Sequence, residues 1–303
     1  MLLVSFVHDG ASPRLGVRRQ DTVIDVAALA AEYGVDLPAP GDLACVGDAV
    51  RGGGELRVVL DELLARPLPP TACLPLAEVT LKAPLRPGKI VGVGLNYTEH
   101  VAESARALDT DSELPQRPVL FSKPTTAVVG PEEPILHNGD LTAQLDWECE
   151  LAVVIGKTAR RVSAEDALSY VFGYSVVNDI SARDQRRGGQ WFFSKGQDSY
   201  APLGPAVRTA DELPDPHVLG LTLRVNGEVK QKGSTRHMLF RVPELIADIS
   251  SGMTLEPGDV IATGSPAGVG ASFTPQQFLR PGDVVEASIE SIGTLRNPVV
   301  DAR

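Results

Sequence analysis

Residues 145–155 read Leu-Asp-Trp-Glu-Cys-Glu-Leu-Ala-Val-Val-Ile, and this alternation of acidic and apolar residues constrains the fold more than any other segment. Side chains alternate across a β-strand, so Asp146, Glu148 and Glu150 would share one face and the large apolar residues the other. Neighbouring carboxylates repel, and keeping them ionised inside a cleft requires a cation. The acidic face therefore either lines a cation-binding cleft or meets water. In a cleft, its all-oxygen donors favour Mg²⁺, Mn²⁺ or Ca²⁺ over zinc.

The composition excludes several classes of partner. The chain has 303 residues, of which 43% are hydrophobic and 22% are charged, as is typical of a globular protein with a sizeable core. A net charge of -11 argues against nucleic acid or an anionic membrane as the main partner. No apolar stretch approaches the ~18 residues of a membrane span, and no basic segment precedes the first apolar residues. These features predict a cytoplasmic protein.

Turn and connector signals divide the chain into two predicted domains. Residues 1–75 are predicted to form a small N-terminal α/β domain, closed by a stiff connector at Pro67–Pro70. Within it, the three glycines at 52–54 predict a flexible turn. Residues 76–303 carry the turn signals of a β-rich domain, which is where the chemistry-bearing residues lie.

Local signals predict individual elements of the second domain. Asn226-Gly227 between two apolar runs predicts a hairpin with a type I′ turn. The Pro-Gly-Asp-Val segments at 257–260 and 281–284 each predict a turn that leads into a strand. Ser163-Ala164-Glu165-Asp166 resembles a capping box and predicts a helix through Val171. Pro243 and Gly252 bracket a second predicted helix over Val242–Ser251.

The segment 89–103 predicts a buried strand that turns into a helix. Gly92 and Gly94 begin a GxGxxG pattern, but its third glycine is missing, so a dinucleotide site is rejected. His100 and Glu103 are one helical turn apart, so the carboxylate can hold the imidazole in one tautomer and raise its basicity. Such a pair is a general base for water, although a surface histidine beside an acid has the same pattern.

A third carboxylate and an arginine follow the next apolar run. Asp179 stands at the end of that run, where it can join Glu148 and Glu150 in half of an octahedral shell. Arg183, four residues later, can face the same site if a helical turn begins there.

Two later segments can bind an anion. Lys195 lies between an aromatic cluster and a glycine, which favours partial desolvation and contact with a substrate carboxylate. The alternative is an ion pair with Asp198 or a neighbour. Thr263 begins a glycine-rich loop that exposes N–H groups and a hydroxyl, or forms only a tight turn. The polar segment Ser104–Arg117 is either a cover over the site or a surface loop.

Taken in order, these motifs resemble the fumarylacetoacetate hydrolase family over about residues 80 to 300. The motifs are Gly94-Leu95-Asn96-Tyr97 with His100 and Glu103, Phe121-Ser122-Lys123-Pro124, Asp146-Trp147-Glu148-Cys149-Glu150, Asn178-Asp179 with Arg183, Lys195-Gly196, and Thr263-Gly264 with Gly268-Val269-Gly270. The resemblance implies a mixed, β-rich α+β fold, with a β-roll catalytic domain behind a small N-terminal domain. It also implies a homodimer.

The resemblance assigns a role to each site residue. It implies metal ligands at Glu148, Glu150 and Asp179, a water-activating dyad of His100 and Glu103, and substrate contacts from Lys195, Arg183 and Thr263. We predict Lys195 as a further catalytic residue, and Asn96 and Gly264 as further substrate-binding residues. Family members vary just after Asp179, where this chain carries Arg186 and Arg187, so substrate specificity does not transfer.

The leading hypothesis is Mg²⁺- or Mn²⁺-dependent hydrolysis of a C–C bond in a small anionic 2,4-diketo acid, an acylpyruvate-like compound. His100, oriented by Glu103, would deprotonate the attacking water while the metal stabilises the departing enolate. The alternatives on the same site are decarboxylation of oxaloacetate-like acids and isomerisation of hydroxymuconate-type dienes. A non-catalytic binding protein and a calcium-stabilised structural domain are rivals that do not need a base.

Overall fold

The computed structural model describes residues 1–38, 43–99 and 114–302. Strands dominate these residues and helices are few, which confirms the predicted β-rich α+β class. The strands are β1 Leu2–His8, β2 Arg14–Arg19, β3 Thr22–Asp25, β4 Cys73–Pro75, β5 Val79–Lys82, β6 Ile90–Gly94, β7 Val119–Lys123, β8 Val128–Val129, β9 Ile135–His137, β10 Leu145–Asp146, β11 Cys149–Ile155, β12 Val171–Asn178, β13 Ser181–Ala182, β14 Ala201–Thr209, β15 Gly220–Val225, β16 Glu228–Ser234, β17 Val260–Ala262, β18 Val284–Ile289 and β19 Gly293–Asp301.

The helices are short apart from one. The α-helices are α1 Val26–Glu32, α2 Val46–Leu64, α3 Phe192–Lys195 and α4 Val242–Gly252. Single 3₁₀ turns occupy Pro70–Ala72, Leu76–Glu78, Thr125–Ala127, Ala167–Tyr170, Arg183–Gln185, Ala210–Glu212, Thr235–His237 and Gly270–Ser272. In the described residues, no helix combines the length and the apolar character needed to cross a bilayer.

Three sheets organise the strands. The largest has twelve strands in the order β4-β3-β2-β1-β14-β12-β11-β17-β6-β7, with β5 paired to β1 and β8 to β14. A five-stranded sheet runs β16-β15-β18-β19-β9, and β10 pairs with β13 in a two-stranded ribbon. Most pairs are antiparallel, while β17 and β6 are parallel. The site described below lies where the ends of β11, β12 and β6 meet the ribbon.

Strand β11 is buried on both faces, so its acidic residues do not meet water. Its odd-numbered residues from Cys149 to Ile155 join one core with β15, β18 and α4. Its even-numbered residues Ala152 and Val154 join a second core with α1 and α2. Burying both faces explains why the apolar run continues without alternation after Glu150.

The N-terminal residues continue the main sheet. Strand β1 pairs with β14 through Leu2↔Arg208 and Leu3↔Val207. Residues of α1 and α2 share their core with strand residues such as Val177 and Val260. The predicted division between residues 1–75 and 76–303 stays a prediction, but the two segments are joined by this shared sheet and core.

Several local predictions are confirmed. Asn226 and Gly227 have φ of 52° and 80° and connect β15 to β16, as a type I′ turn requires. Gly258 and Gly282 have φ of 90° and 99° in the turns that precede β17 and β18. Helix α4 spans the predicted segment.

One local prediction is wrong, and another is only partly tested. The segment after Ser163 forms a 3₁₀ turn at Ala167–Tyr170 rather than an α-helix, because β12 begins at Val171 and pairs with β11. At Gly52–Gly54, where a flexible turn was predicted, two helical segments of α2 meet at a kink in which Gly53 has a non-helical φ of 60°, and the flexibility of this segment stays a prediction. A glycine permits this kink at little steric cost.

Candidate metal centre

Three carboxylates predicted to bind a metal converge in the structure. Glu148 directly precedes β11, Glu150 lies within it, and Asp179 directly follows β12. The antiparallel register pairs Cys149 with Asn178, and the Asp179 N–H donates to the Glu148 carbonyl at 2.8 Å. One oxygen from each carboxylate lies within 4.8 Å of the other two. The pairing of the two strands therefore brings distant residues to one point.

Asp146 does not belong to this group, contrary to the predicted continuous acidic face. The strand breaks after Asp146, which lies in the β10–β13 ribbon. Its carboxylate accepts hydrogen bonds from the N–H groups of Gly270 at 2.6 Å and Ala271 at 3.1 Å. It also accepts one from Arg183 Nε at 2.8 Å. Asp146 thus holds the glycine-rich loop and Arg183 in place.

Buried cations surround the carboxylates. Lys195 Nζ donates to Glu148 and to Asp179, both at 2.6 Å, and to Ser181 Oγ at 2.7 Å. Arg183 Nη2 donates to Glu148 Oε1 at 2.6 Å, from the turn Arg183–Gln185. The desolvation predicted for Lys195 is observed, and its ion pairs are with Glu148 and Asp179 rather than Asp198.

Lys123 belongs to one of the motifs that carry the family resemblance, but the sequence analysis gave it no role in the site. It ends β7, is fully buried, and its ammonium donates to Asp179 and to the Ile180 carbonyl. Burial lowers the pKa of Lys123 to about 8, with the negative charge of Asp179 opposing that shift. A lysine at the end of an apolar strand was the available signal, because burying an ammonium requires a partner.

The carboxylates have the chemistry of a divalent-cation site. Burial raises the pKa of Glu150 well above its usual range, and the negative charges of Asp179 and Glu148 add to the effect. Its carboxylate accepts a hydrogen bond from the Gly264 N–H at 2.8 Å. A hard cation with oxygen ligands would relieve this repulsion, so Glu148, Glu150 and Asp179 fit a metal of the Mg²⁺ or Mn²⁺ type. Their role as ligands stays a prediction.

A small cleft opens beside these groups. Its lining includes Gly94, Glu150, Arg186, Trp191 and Ser265. The cavity is about 20 Å³, which is room for roughly one water molecule. Gly94 lets the indole lie against β6, because a Cβ there would be 2.2 Å from Trp191 Cζ3. The glycine that suggested a nucleotide motif instead permits this close packing.

The other predicted substrate-binding residues mainly bind the protein itself. Asn96 Nδ2 donates to the carbonyls of Phe240 and Thr263, at 3.0 and 2.7 Å. The Thr263 hydroxyl donates to the Leu151 carbonyl at 2.9 Å, and Gly264 binds Glu150. Their contacts with substrate stay predictions, and the observed bonds give all three a role in positioning the Glu150 carboxylate.

The predicted base lies outside the described residues. His100 and Glu103 fall in the segment 100–113, as does most of the polar segment Ser104–Arg117. The dyad and the cover over the site therefore stay predictions.

A buried set of carboxylates beside ammonium and guanidinium groups is typical of an enzyme site, and the carboxylates fit a divalent cation. A family model described as "Fumarylacetoacetate (FAA) hydrolase C-terminal" matches residues 89–300. The chain belongs to the fumarylacetoacetate hydrolase family, as its motifs predicted.

Curated relatives point to tautomerisation. The chain is 46% identical over 227 residues to an oxaloacetate tautomerase, YisK, of Bacillus subtilis (strain 168), covering 74% of each chain. It is 45% identical over 231 residues to the mitochondrial oxaloacetate tautomerase FAHD2A of Homo sapiens, covering 75% of this chain and 71% of that protein. The comparisons therefore favour the isomerase and oxaloacetate alternative over the leading hydrolase hypothesis.

Solved structures show the same fold with several named activities. Fumarylacetoacetate hydrolase from Exiguobacterium antarcticum has a TM-score of 0.82 at 39% identity, covering 99% of each chain. Maleylpyruvate hydrolase from Sphingobium sp. SYK-6, solved with manganese(II) and pyruvate, has a TM-score of 0.78 at 33% identity over the full length of both chains. A 2-hydroxyhepta-2,4-diene-1,7-dioate isomerase from Mycobacterium marinum has a TM-score of 0.73 at 34% identity, covering 100% of this chain and 99% of that one.

Proposed function

We propose that this protein is a keto–enol tautomerase of an oxaloacetate-like 2-oxo acid, and that Glu148, Glu150 and Asp179 hold a divalent cation, Mg²⁺ or Mn²⁺. The observation that carries the proposal is the convergence of three buried carboxylates within 4.8 Å beside Lys195 and Arg183. The named activity of the two curated relatives supports the choice of reaction.

Tautomerisation moves one proton between carbon and oxygen. A proton leaves C3, the electron pair of the C–H bond forms the C2=C3 double bond, and the 2-oxo oxygen gains a proton. Negative charge develops on that oxygen as C3 loses its proton. A bound divalent cation would supply Lewis-acid stabilisation of such charge.

Two buried cations of the chain can also stabilise the negative charge that develops on the 2-oxo oxygen. The Lys195 ammonium and the Arg183 guanidinium are buried, where hydrogen bonds to an oxyanion are stronger than in water. In this proposal they bind the substrate carboxylate and the 2-oxo oxygen. His100, oriented by Glu103, would take the proton from C3 and deliver a proton to the 2-oxo oxygen, and the reverse reaction would run the same transfers backwards.

Proton exchange at C3 tests the proposal. Purified protein with Mg²⁺ or Mn²⁺ is mixed with oxaloacetate in D₂O, and loss of the C3–H signal is followed by NMR against the uncatalysed rate. We expect catalysed exchange that stops when a chelator removes the metal. Asp179→Asn should lower the rate by about 10²-fold or more. Asp198→Asn, an exposed acid close in sequence, is the matched control and should retain it.

Product identification separates tautomerisation from hydrolysis. The structural similarity to maleylpyruvate hydrolase favours C–C bond hydrolysis as the second candidate. Incubation with acylpyruvates would then yield pyruvate and a second acid. Cleavage of acylpyruvates without catalysed exchange on oxaloacetate would replace the tautomerase proposal with the hydrolase one. The homodimer implied by the family resemblance is a separate proposal, which light scattering tests.

A further inference from the structure

Arg186 lies in the cleft but takes no part in the ion pairs of the carboxylate centre. It follows the turn Arg183–Gln185 and lines the cleft together with Glu148, Lys195 and Trp191. Its guanidinium carbon is 5.1 Å from the centroid of the Trp191 ring. The side chain is only partly exposed, and it shares the lining of the cleft with Glu148 and Glu150, two of the predicted metal ligands.

The guanidinium has no carboxylate partner in the part of the chain that the structure describes. The nearby acids are bound to other cations: Asp146 to Arg183, and Asp179 to Lys195. Burial and the positive charge of Arg183 lower the pKa of Arg186, so the group is partly desolvated beside a like charge. A partly buried cation without a counter-charge is unfavourable, and an anionic ligand would stabilise it.

We propose that Arg186 binds the distal carboxylate of a 2-oxo dicarboxylic acid and makes the site selective for dicarboxylates. This inference rests on the proposed function, since it takes the 2-oxo end of the substrate to lie against the carboxylate centre. The cavity of about 20 Å³ is smaller than a 2-oxo acid, so lining side chains must shift when such a ligand enters, and Arg186 is one of the lining residues. A planar guanidinium stacked on an indole is suited to bind a carboxylate through two hydrogen bonds.

Arg187 provides the matched comparison. It is the next residue, carries the same charge and also stacks on an aromatic ring, with its guanidinium carbon 3.9 Å from the centroid of Phe193. Arg187 is exposed and does not line the cleft. A general effect of positive charge near the site would be shared by both arginines, whereas binding within the cleft belongs to Arg186.

The experiment compares two substrates that share the 2-oxo acid end and differ in the distal group, which is a charged carboxylate in one and an uncharged ethyl ester in the other. Proton exchange at C3 is measured for oxaloacetate and for its 4-ethyl ester, with the parent protein and the variants Arg186→Gln, Arg186→Lys and Arg187→Gln, all with Mg²⁺. Calorimetric binding of both compounds is measured in parallel. We expect Arg186→Gln to raise the KM for oxaloacetate by about 10- to 100-fold, with a smaller change in kcat. The ester should be unaffected.

The controls separate the possible explanations. Arg186→Lys should recover part of the affinity, because it keeps the charge but not the paired hydrogen bonds. Arg187→Gln should behave like the parent. Equal losses on both substrates, or no loss on either, would overturn the role of Arg186. If the parent protein catalyses no exchange, the tautomerase proposal fails. Calorimetry then tests the role of Arg186 by itself. Selective binding of the dicarboxylate that depends on Arg186 would still support that role, and its absence would overturn it.

Discussion

Buried carboxylates occur in two kinds of environment in this protein. Asp259 is 1% exposed and accepts hydrogen bonds from the N–H groups of Lys89 and Glu256, at 3.0 and 2.6 Å, and its charge is paired with the Lys89 ammonium. Asp25 likewise accepts from two N–H groups at the start of α1 and pairs with Arg14. Each of these acids has its own cation and two backbone donors.

The carboxylate centre is built differently. Glu148 and Asp179 share Lys195, and Glu150 accepts a backbone hydrogen bond from Gly264 while two negative charges raise its pKa. The comparison teaches that burial alone does not mark function. An acid that has its own cation and backbone donors stabilises the fold, whereas acids that share a cation and repel one another stabilise a ligand.

The largest expected effect is that of Glu150→Gln on activity. Removing one carboxylate should lower kcat/KM by about 10³-fold and abolish the thermal stabilisation by Mg²⁺. The metal-free variant should keep its stability, because the carbonyl oxygen of the new side-chain amide can still accept from the Gly264 N–H. Glu165→Gln, an exposed acid, is the control in the same thermal-shift and kinetic measurements. A Glu150→Gln variant that unfolds readily would place Glu150 with the structural acids.

Asp259→Ala removes an acid of the other kind, one that stabilises the fold. It leaves two backbone N–H groups and the Lys89 ammonium without their acceptor, so unfolding in urea should become easier by about 2–3 kcal/mol. Activity per folded molecule and the response to Mg²⁺ should be unchanged. A selective loss of Mg²⁺ binding in a stable Asp259→Ala protein would contradict the division into two kinds of acid.

Parts of the fold and of the carboxylate centre could be predicted from the sequence, where local geometry decides. The type I′ hairpin at Asn226-Gly227 follows from two positive φ angles, and the meeting of Glu148 with Asp179 follows from two strands that pair. The capping-box prediction at Ser163 failed because strand pairing from Val171 overrode a local preference. The sequence also indicated one continuous acidic strand, and tertiary bonds from Gly270 and Ala271 separate Asp146 from the others.

The cleft was the least predictable part of the site. Arg186 and Trp191, which line the cleft, and Lys123, which binds Asp179, come from two distant segments, and no spacing in the sequence relates them to Glu148. Their positions depend on how β7 and the segment after Arg183 pack against β6. Contacts of this kind are set by the whole fold rather than by any periodicity.

A smaller effect on folding stability is expected when the pH changes the charge of His217, a buried histidine outside the carboxylate centre. His217 Nε2 accepts a hydrogen bond from the Val242 N–H at 3.1 Å, at the start of α4, and burial lowers the pKa of His217. The neutral form is therefore favoured in the folded state. Its contribution to stability is present above pH 6.5, the ordinary histidine value, and is lost as the pH falls through the folded pKa.

Urea unfolding between pH 7.5 and 5.5 checks this expectation. The parent protein should lose stability as the pH falls, and the slope should be smaller in His217→Gln. An unchanged slope in the variant would show that another group causes the decline.

The smallest effect is expected at a surface ion pair. Arg57 makes two hydrogen bonds of 2.7 Å to Asp211, but both side chains are substantially exposed. Asp211→Asn should change the free energy of unfolding by less than about 1 kcal/mol, because water and salt screen the pair. Chemical denaturation of the parent and the variant at low and high salt measures this change in the free energy of unfolding. A loss as large as that of Asp259→Ala would show that burial is not what separates these acids.

The contact between Gly94 and Trp191 couples two segments that are almost one hundred residues apart. Any side chain at residue 94 would occupy the place of the indole, so the strand and the loop cannot diversify independently. Among homologues, a change at one of these positions should be accompanied by a change at the other. Engineering a larger substrate pocket would accordingly start with paired substitutions, with the smaller ring introduced at 191 before any methyl group is added at 94.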